Sequence, residues 1–311
     1  MTISKRDYAT VQADAALEDD CRQLIRLAVR EDLDRSLDWT TVCLIDQAKR
    51  GRCDVVPRQA GICAGLVTAP WVVDEMDADL QLTQHLQDGE PLTVGQPILS
   101  LTGSARDLLT CERLILNLIS RLCGVATLTA RYVAALAGTT AKLYDTRKTT
   151  PGWRRLEKYA VNRGGGHNHR TGLFDGFLIK DNHLAFSHSE LTPHAAVQRA
   201  RQWTGGVVEM TTGIPDIVEV EVDSLEQLRD VLPAGPDIVL LDNFSLEQLR
   251  QAVELRNAIA PAVELEASGN VKLETIREIA LTGVERISSG ALTHQAVWLD
   301  LGMDWSGDGA A

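Results

Sequence analysis

A cationic segment in the middle of the chain, residues 145–183, holds the side chains best suited to bind a small anion. It contains eight lysines or arginines against four acidic residues, a net charge of +4 inside a chain whose formal net charge is −12. Positive charge focused in a cleft attracts anions, and guanidinium groups match the geometry of carboxylates and phosphates. Arg154, Arg155 and Lys158 have the spacing of a solvated helix face. We therefore expect the other cations of the segment to line an anion-binding pocket.

The composition is that of an ordinary globular protein and argues against several classes of function. Hydrophobic residues make up 44% and charged residues 24% of the 311 residues, which suits one large domain or two smaller ones. No uninterrupted apolar run is long enough to span a membrane, and the first twenty residues lack the apolar core of a secretion signal. A pI near 5.1 argues against a nucleic-acid partner. We expect a cytoplasmic protein that binds neither membranes nor nucleic acids.

All six cysteines lie within the first 123 residues, and none of them forms a C-x-x-C pair. This pattern does not support a zinc site of the usual spacing, and the chain is too long and too poor in cysteine for a disulfide scaffold. We expect reduced and mostly buried thiols.

The second half of the chain alternates short apolar strands with helical segments, which predicts a parallel sheet. The candidate strands are 141–144, 176–179, 217–222, 238–241, 263–267 and 284–287. The last four begin 21 to 25 residues apart, the compact pitch of an α/β barrel. A full eight-unit barrel takes about 250 residues, whereas 173 residues remain from Thr139 onward. We expect an incomplete barrel, with an open doubly wound sheet as the alternative.

Carboxylates end two adjacent predicted strands, at the end where barrel enzymes place their chemistry. Glu221 and Asp242 could hold Mg²⁺ together with substrate oxygens, because magnesium favours a few carboxylates combined with phosphates and water. The alternative is a structural pair bonded to loop amides or to Lys180.

Two serine-glycine turns favour a phosphate site. Ser268-Gly269-Asn270 and Ser289-Gly290-Ala291 each follow a predicted strand and precede a predicted helix. Glycine allows close approach of a phosphate to the backbone, and a helix N-terminus favours negative charge. His294 follows Gly290 by four residues, so it could either contact the phosphate or simply form a hydrogen bond within its own helix.

Two further features have competing interpretations. His167 and His169 form an H-x-H pattern, which binds metal in some barrel hydrolases, but the neighbouring Arg170 opposes a cation and favours hydrogen bonding to an anion. Arg113 lies among apolar residues of its predicted helix, so its guanidinium needs a partner; an ion pair with Glu112 would be the structural explanation.

A set of sequence blocks in fixed order resembles the quinolinate phosphoribosyltransferase family, a group of type II phosphoribosyltransferases. The blocks are 112–127, DTRKTTPG (145–152), LEKYAV (156–161), GGGHNHR (164–170), LIKDNH (178–183), VEVEVDSLEQL (218–228), LLDNF (240–244), LEASGN (265–270) and SSGALTH (288–294). Together they cover most of residues 112–294, which is far more specific than one motif.

The resemblance implies an α/β fold in which an N-terminal α/β sandwich domain (1–113) precedes an incomplete (β/α) barrel (114–294), with the tail 295–311 packed back on the first domain. It implies transfer of phosphoribosyl from phosphoribosyl pyrophosphate to quinolinate, giving nicotinate mononucleotide, pyrophosphate and CO₂ in de novo NAD synthesis. It also implies a homodimer or larger assembly in which Arg113 is donated across the interface.

The resemblance assigns roles to the residues already singled out. A cationic clamp for quinolinate would use Arg147, Lys148, His169, Arg170 and Lys180, with Thr146 beside them. The other expectations are Mg²⁺ at Glu221 and Asp242, held directly or through water, a 5′-phosphate at the two serine-glycine turns with His294, and no organic cofactor. Lys148, Glu221 and Asp242 are the expected catalytic residues.

Two stretches depart from the family pattern. The chain is about a dozen residues longer than family members around Trp203–Pro215, and an early Gly-Asp-x-Thr stretch is replaced by residues 36–40. The competing functions are a paralogous transferase of the kind associated with molybdate transport operons, a metal-dependent barrel hydrolase using His167 and His169, and a phosphate-binding barrel without catalysis.

Overall fold

The structure is a computed structural model that describes residues 7–187, 191–204 and 213–306. Its helices are α1 (Ala15–Leu33), α2 (Trp39–Leu44), α3 (Thr68–Glu75), α4 (Ala105–Ala135), α5 (Arg154–Arg163), α6 (Asp181–Ala185), α7 (Pro193–Thr204), α8 (Leu225–Val231), α9 (Leu246–Ile259), α10 (Ile276–Ala280) and α11 (Ala291–His294). Its strands are β1 (Arg50–Pro57), β2 (Gly61–Ile62), β3 (Leu80–Gln84), β4 (Pro91–Leu92), β5 (Leu99–Ser104), β6 (Lys142–Tyr144), β7 (Phe177–Ile179), β8 (Val218–Val222), β9 (Ile238–Asp242), β10 (Glu264–Ser268), β11 (Arg286–Ser288) and β12 (Leu301–Ser306). The added stretch around Trp203–Pro215 lies mostly outside the described residues.

The chain forms two compact units, which we call the barrel unit and the sandwich unit. In its described part, the barrel unit comprises residues 7–10, 131–148 and 166–291, and the sandwich unit comprises the remainder. The division differs from the boundary predicted after residue 113, because that position lies inside α4, which runs as one helix to Ala135. The sequence from 149 to 165, predicted to be part of the barrel, also belongs to the sandwich unit.

Six parallel strands form the sheet of the barrel unit, in the order β6-β11-β10-β9-β8-β7. The first strand in the chain lies beside the last one, and β7 to β11 follow each other as neighbours, which is the strand order of a barrel opened between β6 and β7. A doubly wound sheet would instead reverse its strand order at a central switch point. The predicted incomplete barrel is therefore confirmed.

The alternating sequence of β8, Val-Glu-Val-Glu-Val, explains how this strand divides its side chains between two faces. Val218, Val220 and Val222 are buried on one face. Glu219 and Glu221 share the other face, and Glu219 is fully buried. The barrel interior is therefore lined partly by carboxylates, so cationic or hydrogen-bonding partners must lie beside them.

The sandwich unit contains an antiparallel sheet in the order β12-β1-β5-β3. The C-terminal segment, which we predicted to pack on the N-terminal domain, supplies the edge strand β12, with Met303 opposite Val55 of β1. Ser104 caps the start of α4, since the amide of Asp107 donates to Ser104 Oγ at 3.3 Å.

Helix α4 is the long apolar helix of the sandwich unit, and its length and composition would suit a membrane span. Most of its apolar stretch is buried inside the fold, as expected of a core helix. The helix continues through Gly124, which lets the carbonyl of Val297 approach so closely that a Cβ would lie 2.1 Å from the carbonyl oxygen.

Two expectations about single side chains can be compared with the structure. Lys158, which we placed on a solvated helix face, is fully buried, so that expectation was wrong. All six cysteines are free thiols, and Cys43 is exposed whereas the other five are buried.

Candidate active site

A cavity of about 680 Å³ lies in the barrel unit, at the carboxyl ends of its strands. Its lining residues come from several strand ends and the loops that follow them: Thr146, Arg147, Lys148, His169, Arg170, Leu178, Lys180, Glu221, Leu240, Asp242, Asn243, Glu266, Ser268, Gly269, Asn270 and Ser288. Eleven of the sixteen site residues that we predicted belong to this set, so the structure brings most of them together.

Asp145 joins the two cationic segments of the cavity. This fully buried carboxylate follows β6 and accepts the amide of His169 at 2.8 Å and the side-chain Nδ2 of Asn168 at 2.8 Å. The next residue, Thr146, accepts the amide of Lys148 on its hydroxyl at 3.0 Å. The segment carrying Arg147 and Lys148 is therefore held next to the segment carrying His169 and Arg170.

Arg147 and Arg170 bring two positive charges to the same part of the cavity. Arg170 is buried, and its Nη1 donates to the carbonyl of Gly176 at 3.3 Å. Burial and the charge of Arg147 both lower the pKa of Arg170. Among the described residues, the buried Nε of Arg147 has no hydrogen-bond partner. An anion bound here would relieve the repulsion and supply the missing acceptor.

Glu221 and Asp242 line the same cavity, and their carboxylate oxygens are candidate metal ligands. Lys180 forms an ion pair with Glu221, so the structural pairing that we considered for this carboxylate is present. Asp242 accepts the side-chain Nδ2 of the following Asn243 at 2.9 Å. Carboxylate oxygens facing a polar cavity fit the ligand preference of Mg²⁺, provided that substrate oxygens complete the coordination.

The turn after β10 lies against the turn after β9 and is hydrogen-bonded to it. Gly269 adopts a φ of +91°, and a Cβ at this position would meet Asn243 Oδ1 at 2.2 Å. The amide of Asn243 donates to the carbonyl of Ser268 at 2.9 Å, and Asn270 Nδ2 donates to Asn243 Oδ1 at 3.1 Å. Glycine is required here both for its backbone conformation and for the close contact.

The second serine-glycine turn does not line the cavity. Ser289 and Ala291 are buried, and the Ser289 hydroxyl donates to the carbonyl of Val271 at 3.4 Å and accepts the amide of Ala291 at 3.3 Å. Gly290 lies between them and is also absent from the lining. The neighbouring Ser288 lines the cavity instead, with its hydroxyl 3.2 Å from that of Ser268.

Arg113 and His294 belong to the sandwich unit, and neither lines the cavity of the barrel unit. Both residues are exposed. Arg113 forms no ion pair with the part of the chain that the structure describes, so the alternative explanation, pairing with Glu112, is not observed there. The apolar residues around Arg113 in sequence lie on the buried face of α4, whereas its own side chain is solvated.

A buried ionic cluster surrounds His169, and the sequence did not reveal the partners of this histidine. His169 Nε2 lies 3.1 Å from Glu219 Oε2 and 3.5 Å from Glu266 Oε1. Arg286 Nε donates to Glu266 Oε2 at 2.9 Å, and Tyr8 donates to Glu219 at 2.8 Å. The acidic alternation in β8 and β10 was the available signal, but one sequence does not show which face of a strand lies inside.

The proton of His169 can be placed from its contacts. Burial lowers its pKa, but the charges of Glu219 and Glu266 outweigh this effect and raise the pKa, which favours a second proton. The amide of Arg170, however, donates to Nδ1 at 2.8 Å. In a doubly protonated ring, the Nδ1–H group would face the N–H group of Arg170, with no acceptor between them. The neutral ring with its proton on Nε2 therefore fits the geometry best.

The histidines do not form the metal site of a barrel hydrolase. His167 packs against Tyr144 with ring centroids 5.3 Å apart, and burial lowers its pKa. Within the described residues, one group could surround a metal ion: His169, Glu219 and Glu266. Its carboxylates are already bonded to Tyr8 and Arg286, so we assign no metal there.

Comparison with known proteins matches both parts of the chain to one family. Residues 38–123 match the N-terminal domain and residues 125–304 the C-terminal domain of quinolinate phosphoribosyl transferase. A nicotinate-nucleotide pyrophosphorylase (carboxylating) from Mycobacterium leprae is 44% identical over 92% of this chain and 97% of its own length. A probable enzyme of the same name from Bacillus subtilis is 42% identical over 81% of this chain and 82% of its own. The chain belongs to the quinolinate phosphoribosyl transferase family.

A solved structure of the same family has the same fold. The nicotinate-nucleotide pyrophosphorylase from Francisella tularensis superposes with a TM-score of 0.85 and 34% identity, covering 97% of this chain and all of the other. The resemblance drawn from the sequence blocks is thereby confirmed, and so is the assignment to the phosphoribosyltransferases. The cavity described above is the cavity of a quinolinate phosphoribosyl transferase.

Proposed function

We propose that this protein transfers the phosphoribosyl group of phosphoribosyl pyrophosphate to quinolinate and releases pyrophosphate and CO₂, forming nicotinate mononucleotide for de novo NAD synthesis. The observation that carries the proposal is the pair of cationic segments that Asp145 holds side by side at the barrel mouth. Quinolinate carries two adjacent carboxylates, and a site with two neighbouring guanidinium groups matches that charge pattern.

Arg147 and Arg170 are the proposed ligands of the quinolinate carboxylates, assisted by Lys148 and Lys180. The shape of this clamp fixes the ring so that its nitrogen faces the anomeric carbon of the ribose. Holding two reactants in this way removes much of the entropic barrier of a bimolecular step, an effect worth several kcal/mol. Thr146 contributes by holding the amide of Lys148. His169 lines the same pocket, but both of its ring nitrogens contact protein groups.

In the reaction, the lone pair of the quinolinate nitrogen forms a bond to the anomeric carbon while the bond from that carbon to pyrophosphate breaks. The electron pair leaves with pyrophosphate, whose charge must be stabilised. Glu221 and Asp242 would hold Mg²⁺, directly or through water, and the ion would neutralise that charge. Lys180, paired with Glu221, adds a positive charge at the same place.

The 5′-phosphate of the sugar is proposed to bind at the turn Ser268-Gly269-Asn270, with the hydroxyl of Ser288. The turn offers amides and hydroxyl groups, and the absence of a side chain at Gly269 permits close approach. Ser289 supports this turn from the protein side, since its hydroxyl donates to the carbonyl of Val271 and accepts the amide of Ala291.

Loss of CO₂ follows because the new bond gives the ring nitrogen a positive charge. Once the ring nitrogen is cationic, it stabilises the electron pair that the departing carboxylate leaves on the adjacent ring carbon. That carbon then takes up a proton from solvent, which gives nicotinate mononucleotide, and no organic cofactor is required. Preorganised positive charge, rather than general acid-base catalysis, is the main source of rate enhancement in this proposal. We place the protein in the cytoplasm.

The active assembly is proposed to be a homodimer in which Arg113 of one protomer completes the cationic clamp of its partner. The exposure of Arg113 supports this role, because a solvated guanidinium is available to a second subunit. His294, also exposed, is proposed to approach the phosphate in the same assembly.

The test is an assay of the purified protein with phosphoribosyl pyrophosphate and Mg²⁺, offering quinolinate, nicotinate or nicotinamide as acceptor. We expect nicotinate mononucleotide and CO₂ in equal amounts from quinolinate alone. Turnover of nicotinate without CO₂, or of none of the three acceptors, would point instead to a paralogous transferase with another substrate.

A further inference from the structure

Tyr8 enters the barrel from the end of the strands opposite to the cavity. It is buried and packs with Ile217, which precedes β8, and Ile238, which begins β9. Gly176 also allows this position, because a Cβ there would meet Tyr8 Cε1 at 2.6 Å. Tyr8 is far from the cavity residues in sequence, and no motif of the family blocks includes it.

The side chain of Tyr8 contacts the buried histidine of the site in two ways. Its ring stacks on that of His169, with centroids 4.7 Å apart and planes inclined by 27°. Its hydroxyl donates to Glu219 Oε2 at 2.8 Å, the same oxygen that lies 3.1 Å from His169 Nε2. Tyr8 and His169 therefore share one carboxylate.

The hydrogen bonds continue from His169 to the substrate side of the cavity. Nδ1 of His169 accepts the amide of Arg170 at 2.8 Å, and Arg170 lines the cavity. Asp145 holds the amide of His169 at 2.8 Å, so the ring and the main chain are fixed from different directions. The path from Tyr8 through Glu219 and His169 ends at the residue proposed to bind a quinolinate carboxylate.

We propose that Tyr8 is a positioning residue for quinolinate binding: through Glu219 it orients the His169 ring, and through that ring it fixes the main chain of Arg170. Burial and the adjacent Glu219 raise the pKa of Tyr8, so its hydroxyl stays protonated and remains a donor. The inference rests on the proposed function for the identity of the ligand.

The test replaces Tyr8 by phenylalanine, which keeps the stacked ring and removes the hydroxyl. Glu219 then lacks the hydrogen bond from Tyr8, so its negative charge stabilises a second proton on His169 more strongly. The doubly protonated ring can no longer accept the Arg170 amide on Nδ1. We expect KM for quinolinate to rise about tenfold, the size expected for one lost buried hydrogen bond, with KM for phosphoribosyl pyrophosphate unchanged. Gly176→Ala, which displaces the Tyr8 ring instead, should also raise KM for quinolinate.

The matched control is Tyr132→Phe, since Tyr132 is a buried tyrosine of the same unit that does not line the cavity. A purely structural role for Tyr8 would make the two variants equivalent, with lower Tm and unchanged KM values, and that result would overturn the proposal.

The second readout is ¹⁵N NMR of histidine-labelled protein, with the His169 signals identified by their loss in His169→Gln. The wild-type ring should be neutral with its proton on Nε2, and Tyr8→Phe should convert it to the doubly protonated form. A doubly protonated wild-type ring, or spectra that do not differ, would contradict the inference. If wild-type protein fails to use quinolinate, the proposed function fails, while the NMR comparison still decides the role of Tyr8.

Discussion

At the scale of single residues, Arg147 and Arg170 show why the cavity requires an anionic ligand. Burial and the charge of Arg147 lower the pKa of Arg170, and the buried Nε of Arg147 lacks an acceptor within the described part of the chain. Such an arrangement costs free energy in the empty protein, and the binding of a carboxylate recovers it.

Arg147→Ala is predicted to weaken quinolinate binding far more than phosphoribosyl pyrophosphate binding. One hydrogen bond to a charged group contributes about 1.5–3 kcal/mol, so KM for quinolinate should rise about 10- to 100-fold. Initial-rate kinetics with each substrate varied in turn would measure both constants. Arg250→Ala, which removes an exposed arginine of α9, serves as the control. Equal losses for the two substrates would show that Arg147 does not select the acceptor.

The cations of the cavity could be predicted from the sequence, whereas their buried partners could not. Arg147, Arg170 and Lys180 were recognisable because charge next to glycines or at the end of an apolar run is unusual. Tyr8 and Glu219 become part of the site only through the fold, which joins residues 211 positions apart. Periodicity shows that a strand has two faces but not which of them is interior.

At the scale of elements, the turns after β9 and β10 are hydrogen-bonded to each other at the edge of the sheet. Ser268 lies directly opposite Asp242 in the strand register, so the proposed phosphate and metal positions are fixed by adjacent strands. The sequence predicted both turns from their glycines. It did not distinguish the turn at Gly269, which lines the cavity, from the turn at Gly290, which does not.

Gly269→Ala is predicted to impair phosphoribosyl pyrophosphate binding specifically. The positive φ alone should cost roughly 1–2 kcal/mol of stability, and the added Cβ would also displace Asn243 from the turn. Gly235→Ala is the matched control, because Gly235 has a φ of +73° and open space around its Cβ position. Gly235→Ala should lower Tm through the backbone strain alone and Gly269→Ala should lower it further, but KM for phosphoribosyl pyrophosphate should increase only in Gly269→Ala. The same KM in both would argue against a phosphate at this turn.

The sandwich unit illustrates a different limit of sequence analysis. Gly124 has the appearance of a helix breaker, yet α4 continues through it because the glycine accommodates the carbonyl of Val297. That contact joins residues that are far apart in the sequence. No local pattern contains it.

At the scale of the whole molecule, the order of strands explains why the barrel could be anticipated. The pitch of the β-α units predicted a barrel, and the shortage of residues predicted fewer than eight strands. Within the described residues the sheet has six strands, with the first beside the last. The division of the chain was harder to predict, since each unit is assembled from separate segments.

Sharing of sites between subunits predicts that two inactive variants complement each other. Arg113→Ala and Lys148→Ala should each abolish most activity, and mixing them under conditions of subunit exchange should restore roughly a quarter of wild-type activity, because half of the dimers then contain one native site. Activity after exchange, compared with activity before it, is the measurement. Absence of recovery, with heterodimers demonstrated by mass spectrometry, would mean that Arg113 acts within its own chain or not at all.

The most direct test of the central claim is calorimetric titration of the wild-type protein with quinolinate and, in parallel, with nicotinate. The two ligands differ by one carboxylate, so a clamp built for two should bind quinolinate about 10- to 100-fold more tightly, as expected for loss of one charge-assisted contact. Equal affinity for both ligands, or no heat of binding with quinolinate, would contradict the account.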